Sequence, residues 1–164
     1  MLDTSVTDLV SGWGGLPCSE LSILLVFLRH LSLVHQTNHW VAKGEYFFGD
    51  HKLFEQLYDS TNNEIDTVAE KAIGYGGERV VSLSLQLKQL AIIDKSATDD
   101  AIKTSSSLAK KSLECETRLL MIIPTLLEMM RASGTLTSGI ENMVNQLQDD
   151  HEKHVYLLKQ RCGE

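Results

Sequence analysis

The chain contains little that would bend or cross-link a fold. Only two prolines occur in 164 residues, Pro17 and Pro124, so helices can run uninterrupted over most of its length. The three cysteines, Cys18, Cys115 and Cys162, are odd in number and far apart. That excludes a disulfide framework or a zinc cluster and fits reduced thiols in a cytosolic protein. Long apolar runs are missing: Ile23 to Leu28, the longest in the first helical pattern, falls far short of a membrane span. The N-terminus places no basic residue before an apolar core, so a secretory signal is not expected. Positive charge is scarce as well. Lys and Arg number 15 against 22 Asp and Glu, the net charge is -7, and the first basic residue is Arg29. Nonspecific nucleic-acid binding rests on neutralising phosphates, so this balance reads against it. Finally, no glutamate has a histidine three residues later. That is the pattern by which four-helix bundles hold two irons inside one subunit, and its absence reads against a single-subunit di-iron oxidoreductase.

What is present is helical periodicity. Leu21, Leu24, Leu25, Leu28, Ser32, His35 and His39 form one stripe of a helix expected from Ser19 to Gly44, with both histidines on its core side. A second helix is expected from an N-cap at Asp50 to the cluster Gly74-Tyr75-Gly76-Gly77. Ser82 to Leu87 alternates polar and apolar, which by periodicity alone reads as a strand, but one without a partner elsewhere. Ser96 and Asp99 are spaced as a capping box for a third helix running from about Thr98 to Arg131, with a kink at Pro124. Ser138 and Glu141 would cap a last helix. The whole reads as one all-α domain over residues 1–164, with residues 1–17 a flexible or surface-packed lead carrying Trp13.

The chemistry lies between His35 and Glu70. His51 and Glu55 are four apart, Asp66 and Glu70 are four apart, and Glu55 and Asp66 are eleven apart, so all four share one helical stripe. Imidazole with carboxylate suits iron, manganese or zinc. The midpoints of the two pairs are separated by fifteen residues, or roughly 22 Å of helix, which no single metal centre spans. Two copies packed antiparallel across a two-fold axis would bring each His51/Glu55 end to the partner's Asp66/Glu70 end and form two equivalent sites. His35 is read as a hydrogen-bonded histidine near the core, although an extra ligand or proton carrier remains open. Trp40 is expected to pack beside the site. His151 and His154, three apart on the last helix with Asp150 and Glu152 around them, invite a second metal site, but no acid of the first helix meets them and a solvated helix face is the preferred reading; Glu114 and Glu116 on the third helix are likewise read as surface charges.

The run His39-Trp40-Val41-Ala42-Lys43-Gly44-Glu45-Tyr46-Phe47, followed by His51, Glu55, Asp66 and Ala69-Glu70 and later by Asp150-His151-Glu152-Lys153, resembles the Dps family of mini-ferritins. The resemblance implies a ferritin-like four-helix bundle with a short helix in the long crossover between the second and third helices, overriding the strand periodicity at 82–87. It implies a hollow homododecamer that oxidises Fe(II), typically with hydrogen peroxide, and stores the ferric product as mineral. Two irons would bind per intersubunit site, with zinc or manganese able to substitute. His39, His51 and Glu55 would come from one subunit, and Asp66 and Glu70 from its two-fold mate, Glu70 bridging the metals. His51 is the member most readily reassigned to orienting the others, and the family normally has aspartate where Glu55 stands. Many relatives bind DNA through a lysine-rich tail. The acidic N-terminus here has none, so a DNA-compacting shell is the lesser alternative. Iron usually enters such shells through pores lined by aspartates near the start of the last helix. Here Thr135 to Asn142 offers only Glu141.

Overall fold

The computed structural model describes residues 19–95 and 104–164. The expectations for residues 1–17, for Cys18 and for the Ser96/Asp99 capping box lie outside them. In chain order, α1 is Ser19–Val41, α2 is Phe47–Gly76, a 3-10 turn covers Glu78–Val81, α3 is Leu83–Lys95, α4 is Ser105–Ser133 and α5 is Ser138–Cys162. Leu83 onward is helical, as the resemblance implied and against its alternating pattern. With Leu83 and Leu87 exposed and Gln86 and Gln89 buried, α3 turns these leucines outward and its amides inward, so sequence alternation misreports its buried face.

Long-range side-chain contacts define the topology. Ser32 meets Asn62 and His39 meets His51, so α1 and α2 run antiparallel. Asn38 contacts Leu108 while His35 contacts Glu116, so α4 also runs against α1. Asp50 pairs with Arg161 at one end, and Tyr75 meets Thr137 at the other, so α5 runs against α2. Two antiparallel hairpins joined by a long crossover make the ferritin-like bundle. α1 is buried on almost every side between Leu21 and Leu28 and forms the centre of the core.

Several boundaries differ from the sequence expectation. α1 stops at Val41, and Gly44, at φ 86°, turns the chain into α2, which begins at Phe47 rather than Asp50. Asp50 is buried in the first turn and held by the Arg161 guanidinium. α4 starts at Ser105, where Thr104 and Ser107 form a reciprocal capping box. It runs through Pro124 and ends at Gly134, which takes the left-handed conformation at φ 73° that glycine tolerates best. α5 is capped by Thr137, whose hydroxyl accepts from the Ile140 amide, not by Ser138, and Glu141 instead reaches Arg131 at 2.9 Å. Thr137→Ala is therefore expected to destabilise the protein by about 1 kcal/mol in denaturant melts, while Ser138→Ala has no comparable effect.

Cys115 and Cys162 are free thiols. Burial pushes the Cys115 thiol up to about 11, so its thiolate is scarce at neutral pH. Alkylation followed by mass spectrometry is expected to leave Cys115 unmodified until the protein is unfolded. Among the described residues, no helix is long and apolar enough to cross a membrane.

Candidate metal centres

His39 lies in the last turn of α1 and His51 in the second turn of α2, and the turn at Gly44 brings them together. Their rings stack at 3.7 Å and 24°. Each Nδ1–H donates to the other residue's backbone carbonyl, His39 to His51 at 2.9 Å and His51 to His39 at 3.1 Å. This reciprocal pair places the hydrogen of each ring on Nδ1 and leaves both Nε2 positions outside the pair, where a neutral ring offers a lone pair to a ligand. Tyr58 packs edge-on to His39 at 5.3 Å, and Phe47 lies 5.0 Å from His51. Glu55 follows one turn later. The Lys52 ammonium at 2.7 Å holds its carboxyl below the usual range, and the nearby imidazoles add to this. Asp66 and Glu70 are exposed farther along the same helix. The single chain thus brings together His39 and His51, with Glu55 beside them, and leaves Asp66 and Glu70 apart. Trp40 does not pack beside these rings on its own chain. It is 68% exposed, and Phe48 is 76% exposed.

A second polar group lies where a solvated helix face was the preferred reading. Glu116, His151 and His154 are not solvated charges: their side chains are 0%, 0% and 7% exposed. Glu116 Oε1 accepts from His35 Nε2 at 2.9 Å and His154 Nδ1 at 3.0 Å, and its Oε2 accepts from His151 Nδ1 at 2.6 Å. His151 Nε2 donates to Glu64 Oε2 at 2.8 Å. All four long helices therefore contribute to one layer. This layer separates the apolar cluster around Leu25, Ile123 and Val144 from the one around Phe54, Leu108 and Leu158.

The network dictates its proton positions. Asn38 Nδ2 donates to Ser112 Oγ at 2.9 Å, freeing the Ser112 hydroxyl to donate to His35 Nδ1 at 3.0 Å. His35 is then a neutral ring protonated at Nε2, which agrees with burial lowering its pKa despite Glu116. His35 is thus a core hydrogen-bonded histidine. His151 donates from both nitrogens and is an imidazolium. Burial opposes its charge, but the bonds to Glu116 and Glu64 outweigh that and raise it to about 10. Burial would likewise raise Glu116, yet donors from His151, His154 and His35 hold it well below the carboxylate range. A sequence signal for this layer existed. Ile140, Val144, Leu147, His151, His154 and Leu158 are spaced four and three in alternation, as are Ala109, Ser112, Glu116, Leu119 and Ile123. The polar residues occupy the seam positions of their helices. A Glu-x-x-His pattern does not include them.

No protein-family model matches the chain. It is 27% identical over 121 residues to a DNA protection during starvation protein of Brevibacillus brevis, covering 74% of this chain and 77% of that one. It is 24% identical over 125 residues to general stress protein 20U of Bacillus subtilis, covering 76% and 82%. Among solved structures, Dps from Staphylococcus aureus superposes with a TM-score of 0.74 at 21% identity, covering 97% of each chain. Dps from Thermosynechococcus elongatus gives 0.75 at 20% identity, covering 87% of each chain. The chain is thus similar in sequence to DNA protection during starvation and general stress proteins, and it shares the ferritin-like bundle fold of the Dps structures.

Proposed function

We propose that the protein is an iron-detoxifying ferroxidase whose site is completed only between two-fold-related copies, within a hollow homododecamer of the kind the family resemblance implies. One copy supplies His39, His51 and Glu55, and its mate supplies Asp66 and Glu70. The observation that carries this reading is the reciprocal His39/His51 lock. It leaves the Nε2 atoms of both rings outside the lock at one end of α2, while the acid pair lies roughly 22 Å away on the same helix. One chain cannot close that gap, and an antiparallel pair can. Exposed Trp40, Phe47 and Phe48 beside the histidines, and Leu83 and Leu87 on α3, are apolar surface suited to burial between copies.

The substrates are two ferrous ions and, by family resemblance, hydrogen peroxide. Each iron gives one electron, the O–O bond breaks, and two protons complete two waters: 2 Fe2+ + H2O2 + 2 H+ → 2 Fe3+ + 2 H2O. Delivering both electrons together avoids releasing hydroxyl radical, and the ferric product collects as mineral inside the shell. Glu55 is longer than the family's aspartate by one methylene and is engaged by Lys52, which weakens the second metal position. Anaerobic stopped-flow with peroxide is expected to consume two Fe(II) per H2O2 without radical spin adducts. One iron per peroxide, with adducts, would overturn the reading.

The -7 charge and the lack of Lys or Arg before Arg29 favour iron chemistry over DNA compaction. A plasmid gel shift at moderate salt without added divalent metal is expected to show no complex. At the start of α5, the Arg131 guanidinium partly neutralises Glu141. An entrance there would focus little negative potential. Iron uptake is thus expected to depend weakly on ionic strength, measured as initial oxidation rates across a salt series. A strong dependence that persists in Glu141→Gln would point to an acidic entrance elsewhere.

A further inference from the structure

The buried layer carries a donor set, two imidazoles and a carboxylate, that suits a first-row divalent metal ion. Glu116, His151 and His154 each offer one donor atom, and these atoms lie within 4.8 Å of one another. With bonds of about 2.1 Å, the donors of a tetrahedral ion lie about 3.4 Å apart, so side-chain shifts of roughly an ångström close the group around an ion. Two further donors flank it, His35 on Glu116 and Glu64 on His151. Glu64 Oε1 is buried and has no hydrogen-bond partner, an orphaned acceptor inside an otherwise satisfied layer.

Charge favours the same conclusion. Two carboxylates face one imidazolium, an excess of one negative charge in a low-dielectric interior. A divalent ion that displaces the Nδ1 proton of His151 to solvent, with the His154 proton moved from Nδ1 to Nε2, replaces one positive charge by two and makes the layer neutral. His151 would keep its Nε2–H on Glu64, the outer partner that orients a ligating imidazole. A largely apolar surface cleft between α2 and α5, lined by Val68, Met143 and Leu147 among others, touches the layer at Glu64.

We propose that each chain holds, inside its four-helix bundle, a site for one first-row divalent metal ion, with Glu116, His151 and His154 as ligands and His35 and Glu64 positioned around them. This site is complete within one chain. It stands whether or not the shared His39/Glu70 site exists.

Co2+ is a suitable probe, because its visible absorption reports coordination. In chelator-treated His39→Ala/Glu70→Ala protein, which lacks the shared site, titration is expected to show about one Co2+ per chain bound with visible d–d bands. In the same background, Glu116→Gln and His151→Gln should abolish these bands, with circular dichroism and particle size unchanged. Glu64→Gln should weaken Co2+ binding about tenfold, as loss of an outer partner does. Bands that persist in Glu116→Gln, or that never form in the His39→Ala/Glu70→Ala background, would overturn the proposal. Should the ligand variants fail to fold, Co2+-soaked crystals of the unaltered protein decide it by anomalous scattering. A peak within bonding distance of Glu116 and His151 supports the intrachain site, and ions confined to contacts between copies refute it.

Discussion

Glu116→Ala, in chelator-treated protein, is expected to lower stability by about 3–5 kcal/mol, the usual consequence of removing one partner from a buried charge pair. The thermal midpoint should fall by on the order of 10 °C. Glu116 is the acceptor that His35, His151 and His154 share. Without it, a buried imidazolium keeps only Glu64, and two further ring N–H groups lose their acceptor. Glu55→Ala is the control: Glu55 meets Lys52 at the surface, and its loss should leave the midpoint unchanged.

The pH dependence follows from the same layer. His151 rises from 6.5 to about 10 on folding, so its contribution is complete below about 6.5 and is lost as pH climbs through about 10. Glu116 is depressed from 4.5, so its contribution is present above about 4.5 and lost on acidification. His35 is lowered from 6.5 by burial, so its contribution is present above about 6.5 and declines as pH falls below that. The metal-free protein should therefore melt highest near neutrality and lower on both sides, by calorimetry across a buffer series. A flat profile would mean that His151 is not the imidazolium its two acceptors require.

The second large effect is on catalysis. His39→Ala and Glu70→Ala are each expected to slow rapid iron oxidation by more than about tenfold. Shells co-assembled from equal amounts of the two variants should recover about a quarter of the unaltered rate. At random, half the two-fold interfaces pair unlike chains, and each of those holds one intact site and one doubly defective site. Inactive mixed shells, with both variants still assembling, would show that the two residues do not share a site across an interface.

Much of the architecture was legible from local chemistry. Scarce proline, periodic apolar residues and well-placed glycines specify the helices and their hairpins, because each depends on neighbours within a few residues. The grouping of His39 with His51 came from the family resemblance, and the short turn at Gly44 that joins them is what realises it. Helix starts were less so. Thr104 and Thr137 are the caps among several hydroxyl residues in each loop, and the choice depends on where packing sets the first turn. α3 was misread by alternation because Leu83 and Leu87 face outward and its amides inward.

The buried layer was decided by tertiary structure. Glu116 and His151 are polar residues on helices rich in surface charge, and by residue type each reads as solvated even though its spacing places it on the seam. What makes them core residues is that α1, α2, α4 and α5 place a charged or hydrogen-bonding partner at the same level. Burying any one of them unpaired would cost several kcal/mol. Burial of a charge depends on partners that are distant in sequence, His35 lying 81 positions from Glu116 and Glu64 lying 87 from His151. Spacing of three and four puts Glu116 and His151 on the seams of their own helices, but no local pattern encodes that coincidence of partners. It exists only once the four helices are packed.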